Sequence, residues 1–189
     1  MLCYVIFPIM FGMIFVSKNM VLVLLTEKWL HTVPYICFVC VECILTIIPT
    51  VRLQVLKAAG HSGAMLKLEI IKKSIYFLSI LAAMPFGVFA IALTLPFNAL
   101  IDVLLHILCS KKILGYSMWG QIRSCISSFL LCAAMGAAIW AVSLLGLSAL
   151  PGLALQVSVG VVVYVGLSAI FKVESFVTML QMVKEKIKK

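Results

Sequence analysis

Thr26-Glu27-Lys28-Trp29 opens the stretch that decides the fold. A long apolar run follows from about Thr32 and ends in Arg52-Leu-Gln-Val-Leu-Lys57-Ala-Ala-Gly60. Then come a loop, His61-Ser62-Gly63, and a basic foot, Met65-Leu-Lys67-Leu-Glu69-Ile-Ile-Lys72-Lys73. Read together, these residues are an outer turn, a membrane span and a basic inner corner. A span needs about 20 apolar residues to cross a hydrocarbon core of about 30 Å. Cationic corners stay on the cytoplasmic side, because carrying Lys and Arg across is costly.

Composition agrees. Of 189 residues, 65% are hydrophobic and 11% charged, with a mean hydropathy of +1.24. Soluble domains carry roughly a quarter charged residues, and no soluble core hides this much apolar surface. The apolar runs are continuous and lack the alternation of a membrane barrel strand. The expected class is therefore all-α: a polytopic membrane helix bundle.

Working outward, six segments are long enough to cross: about Leu2–Leu25, Thr32–Leu56, Leu66–Met84, Val88–Cys109, Ile122–Leu145 and Leu153–Phe171. Pro34 falls in the first turn of the second, where a missing N–H costs little. Pro49 lies deep inside it and should kink it. Pro85-Phe86-Gly87 stops the third, Pro96 lies within the fourth, and Gly146–Gly152 reads as a short turn. Small residues in the fifth, Ala133/Ala137 and Ala134/Ala138, have the spacing that lets membrane helices approach closely. Tyr116 and Trp119 flank its inner end as an aromatic belt.

With the N-terminus inside, thirteen of the 15 Lys and Arg fall at inner ends, and only Lys18 and Lys28 fall outside. That partition predicts six transmembrane helices with both termini cytoplasmic. The net charge of +9 is then an inner-surface feature facing anionic lipids, and no nucleic-acid motif accompanies it. Residues 1–171 form the membrane lobe. Residues 172–189 read as a C-terminal amphipathic helix, with Val173, Phe176, Val177, Leu180, Val183 and Ile187 on one stripe. No Lys or Arg precedes the first apolar run and no cleavage site follows it, so no signal peptide is read. The expectation is a chain that starts inside a larger protein.

Ionisable groups inside a membrane are functional candidates by default. Glu42, near the middle of the second span, is the candidate for proton or cation coupling, set against a hydrogen-bonded carboxyl within the bundle. Asp102 and His106 share a helix face and read as an ion pair near the inner headgroups. Arg52 and Lys57 could meet a phosphate-bearing headgroup through charge-assisted hydrogen bonds, or simply snorkel to the interface. Glu69 with Lys72 and Lys73 reads as an exposed structural pairing. Cys37, Cys40 and Cys43 open a ferredoxin-like run, but position 47 is Ile47, so they read as small hydrophobes. No nucleotide-binding or hydrolase motif is present, and His31, His61 and His106 are scattered at membrane edges. Neither an enzyme nor a cofactor is expected.

Glu27-Lys28-Trp29 with Val33-Pro34, Leu56–Gly60, Leu66–Lys73, Pro85-Phe86-Gly87 and Leu114-Gly115-Tyr116-Ser117 with Gln121 resemble the polysaccharide (O-antigen and capsule) flippases. These belong to the multidrug, oligosaccharidyl-lipid and polysaccharide exporter superfamily. In that family a glycine usually precedes the Glu-Lys-Trp turn; here the residue is Thr26. The resemblance implies two lobes around a cavity and transfer of an undecaprenyl-pyrophosphate-linked oligosaccharide across the bacterial inner membrane. It casts this chain as the C-terminal portion, inactive without its N-terminal lobe. Arg52, Lys57 and Arg123 would hold the pyrophosphate and Glu42 would couple transport. The alternatives are a drug/cation antiporter of the same superfamily and a non-transporting membrane assembly subunit.

Overall fold

The computed structural model describes residues 2–58, 62–113, 119–144 and 148–170. The side chains at 2, 48, 51–58, 62, 64–65, 109–113 and 119–127 lie outside that description, as does the expected amphipathic tail. Six α-helices and two short 3-10 turns account for the described elements, and no strand occurs among the described residues. The helices are α1 (Leu2–Leu24), α2 (Val33–Ala58), α3 (Ser62–Ala83), α4 (Val88–Ile113), α5 (Trp119–Ser143) and α6 (Ala149–Ile170). The fold is all-α, as the continuous apolar runs require.

Among the described residues, four stretches are long and apolar enough to cross a membrane: Cys3–Leu24, Glu27–Ile47, Val88–Leu108 and Ala149–Ile170. By length and composition the chain is a membrane protein. In α3, Lys67, Glu69, Lys72 and Lys73 dilute the apolar surface of the first half. In α5, the described apolar stretch is shorter, Ser128–Ser143.

Two local differences from expectation have simple causes. The turn expected over Gly146–Gly152 is shorter, because α6 takes in Pro151 and Gly152. Proline is tolerated in a first helical turn, where its absent N–H has no partner to lose, and the Gly152 N–H donates to the Ser148 carbonyl at 2.9 Å. The polar turn before α2 is a 3-10 helix, Glu27–Thr32. Its entry residue Thr26 has φ +100° and ψ 167°, and is the one non-glycine with positive φ among the described residues. That region of backbone space belongs essentially to glycine.

The chain divides into two compact units, Met1–Val33 with Trp119–Lys189, and Pro34–Met118. In the first, α1 packs on α5 and α6, and α5 on α6. Phe11 meets Phe129 edge-on at 5.3 Å, and the Phe15 ring covers Gly136, so α1 and α5 run parallel. α6 runs antiparallel to both: Asn19 bonds Gln156 at 2.9 Å, the Tyr164 hydroxyl donates to the Tyr4 carbonyl at 2.7 Å, and Ile139 packs over Gly160. The buried face of α6 is Gly152, Gln156, Gly160, Tyr164 and Ser168, every fourth residue. It is small or polar throughout, the composition by which helices associate in lipid, where apolar surface gives no advantage over lipid tails. Cys132, Met135, Gly136 and Ile139 form the matching face of α5, whereas Ala133, Ala134 and Ala137 are exposed. The small-residue packing in this unit is thus carried by Gly136 and Gly160, not by those alanines.

In the second unit, α3 and α4 form an antiparallel hairpin about Met84-Pro85-Phe86-Gly87. Gly87, at φ +89°, makes the reversal. Phe89 on α4 receives Tyr35 and Phe38 of α2 in edge contacts at 6.2 and 5.5 Å.

Candidate functional site

Lys72 and Asp102 each lie fifteen residues from Gly87. In an antiparallel hairpin, residues equidistant from the turn reach the same level, so the two side chains meet. Lys72 Nζ lies 2.7 Å from Asp102 Oδ1 and 3.2 Å from Glu69 Oε1. His106 Nε2 is 3.5 Å from Lys72 Nζ and 3.6 Å from Asp102 Oδ1. The His106 side chain is 5% exposed, Asp102 16% and Lys72 20%. Farther toward the turn, Asn98 Nδ2 donates to Ser79 Oγ at 2.7 Å, and Ser79 Oγ donates to the Tyr76 carbonyl at 2.8 Å. Asn98 Oδ1 is buried without a hydrogen-bond partner. A cavity of about 160 Å³ opens among Glu69, Lys72, Lys73, Tyr76, Asn98 and Asp102, room for a few water molecules.

This arrangement corrects two expectations. Lys72 is not part of an exposed foot: its ammonium turns into α4 while still reaching Glu69. Asp102 and His106 approach each other, at 3.6 Å, but Lys72 takes the closer place. Charged groups inside a membrane are retained where they pair with one another, and here two helices supply the partners. Asp102 lies within the apolar stretch that ends at Leu108, roughly 9 Å from that end at 1.5 Å per residue.

Glu42 is half-buried on α2, and its backbone carbonyl accepts from Thr46 Oγ1 at 3.0 Å. Arg52 and Lys57 lie on the last turns of the same helix, Arg52 roughly 15 Å along the axis from Glu42. Arg123 lies on α5 in the other unit. The side chains of these three cations fall outside the described residues. Cys37, Cys40 and Cys43 lie on α2 and are not joined by disulfides. Among the described residues, no group of three or more His, Cys, Asp or Glu is placed to hold a metal ion.

The cluster can do two things chemically. It ties α3 to α4 through an ion pair, and it sets Lys72 and Asp102 on a small polar cavity with the His106 ring close to both. Comparison with protein-family models, curated proteins and solved structures finds no significant match.

Proposed function

We propose that this chain is a lobe of a translocator for lipid-linked oligosaccharide, embedded in a bacterial inner membrane, with six spans and both termini cytoplasmic. One observation carries the family reading. At the position where the polysaccharide flippases usually have glycine, the backbone adopts a glycine conformation, φ +100°, although the residue is Thr26. A backbone that favours glycine at this position supports the resemblance even though the residue is Thr26.

Helix direction supports six spans over four. α5 lies parallel to α1, itself apolar enough to cross, so α5 shares its depth. Two parallel crossings require an odd number of crossings between them. α3 is paired along α4 by Lys72–Asp102 and Asn98–Ser79, so α3 and α4 cross together and α2 makes the third. In this arrangement the Arg52–Lys73 corner faces the cytoplasm and the Thr26 and Gly87 turns face outward.

The lobe works with an N-terminal lobe that completes the cavity. Arg52, Lys57 and Arg123 meet the pyrophosphate of an undecaprenyl carrier, and Glu42 couples the cycle. The test is export of surface polysaccharide in a strain lacking its own flippase, supplied with both lobes. Replacement of Arg52 or Glu42 by Ala should abolish export at unchanged protein level. Export that survives both replacements overturns the assignment, and drug resistance in place of polysaccharide export selects the antiporter reading.

A further inference from the structure

Three groups surround the Lys72 ammonium: Asp102 Oδ1 at 2.7 Å in an ion pair, Glu69 Oε1 at 3.2 Å as a hydrogen-bond acceptor, and His106 Nε2 at 3.5 Å. An imidazole nitrogen accepts only when it carries no proton. Lys72 can therefore donate to Nε2 only while His106 is neutral with its proton on Nδ1. A proton on Nε2 replaces an acceptor by a donor and sets two positive charges against each other. Asp102 Oδ1, 3.6 Å from Nε2 and one turn away on the same helix, is the near relief for the imidazolium. Lys72 keeps a carboxylate of its own on α3, Glu69.

We propose that the α3–α4 hairpin holds a two-position switch worked by one proton on His106. With His106 neutral, Lys72–Asp102 ties the two helices together. With His106 charged, Asp102 turns from Lys72 to the imidazolium on α4, and Lys72 keeps only the Glu69 contact it already makes on α3. The Asn98–Ser79 bond nearer the turn is untouched, so the hairpin loosens at its open end while its turn stays closed. The charged groups joined to His106 in this cluster are Lys72 on α3, with Glu69 behind it, and Asp102 on α4; Lys73 and Tyr76 line the adjoining cavity with Glu69, Lys72 and Asp102. The Met84–Phe86 turn carries no titratable side chain. The device rests on hairpin geometry alone, independent of what the protein carries.

The test is nitrogen NMR of the full chain in lipid nanodiscs, with labelled histidine and lysine. It runs from about pH 8 to about pH 5, the window in which imidazole ordinarily changes charge. The Lys72 Nζ resonance is expected to shift with the same midpoint as the His106 ring nitrogens. In His106→Gln, whose amide oxygen accepts from Lys72 but takes up no proton, the Lys72 resonance is expected to stay in place. A Lys72 signal that stays fixed while His106 charges overturns the switch. So does a His106 that remains neutral throughout, or a Lys72 shift that persists in His106→Gln. Should that variant fail to fold, the wild-type titration decides alone.

Discussion

Lys72 Nζ lies 2.7 Å from Asp102 Oδ1, so an ion pair joins α3 to α4. Removing one partner of a buried pair leaves the other charge uncompensated, at a cost of 3–5 kcal/mol when burial is complete. With 16–20% of these side chains exposed, Lys72→Met is expected to cost about 3 kcal/mol. Glu69, 35% exposed, contributes about 0.5 kcal/mol or less, the range of exposed pairs. The double replacement Lys72→Met with Asp102→Leu should recover most of the loss. Unfolding in mixed micelles measures all of these; equal losses for Lys72→Met and Glu69→Gln contradict the geometry.

Thr26→Gly is expected to stabilise the protein. Relief of a backbone conformation costing about 1–3 kcal/mol outweighs the roughly 0.5–1 kcal/mol of chain entropy that glycine adds to the unfolded state. A thermal melt in nanodiscs should rise. A fall would mean that the Thr26 side chain makes a contact worth more than the strain.

The two close-packed glycines should respond differently. A methyl at Gly136 would run into the Phe15 ring, but Phe15 is 37% exposed and can swing outward. Gly136→Ala also gains about 1 kcal/mol of helix propensity, so its net effect should lie within about 1 kcal/mol of zero. At Gly160 a Cβ meets Ile139 Cδ1 at 3.0 Å, and Ile139 is 1% exposed. Gly160→Val has nowhere to put its branches and should cost about 1–3 kcal/mol, the range for overpacking. The same unfolding assay ranks them, and a larger loss for Gly136→Ala contradicts this packing.

Asn19 and Gln156 form a side-chain hydrogen bond between α1 and α6. Such bonds within membranes average about 0.6 kcal/mol and reach about 1.7. A double-mutant cycle with Asn19→Leu and Gln156→Leu should give a coupling in that range. Coupling near zero would separate the two residues.

The apolar runs make the helices legible in the sequence, and Pro34 and Pro85-Phe86-Gly87 mark the start of α2 and the α3–α4 turn, while Pro8, Pro49 and Pro96 lie inside helices. Tertiary partners were harder to read. Lys72 looked settled by Glu69, because a partner one turn away competes with one on another helix that no local rule reveals. The signal was present: Lys72 and Asp102 are equidistant from Gly87, and a tight hairpin turn makes that symmetry meaningful. The seam of α6 escaped for another reason. Hydropathy registers Gly152, Gly160 and Ser168 as weakly apolar or neutral, so a fourfold repeat of small and polar residues barely changes the average. The exposed alanines of α5 drew notice because small-residue spacing does not say which face carries a neighbour.

Sidedness of the α2–α3 corner against the α3–α4 turn tests the six-span account most directly. Gly63 is exposed with open space at its Cβ, and Phe86 is 78% exposed. In a chain freed of its native cysteines, Gly63→Cys and Phe86→Cys would be treated on intact cells with a membrane-impermeant maleimide. Labelling of Phe86→Cys, with Gly63→Cys protected until the cells are opened, is the predicted result. Labelling of Gly63→Cys from outside, or of both positions from one side, contradicts it.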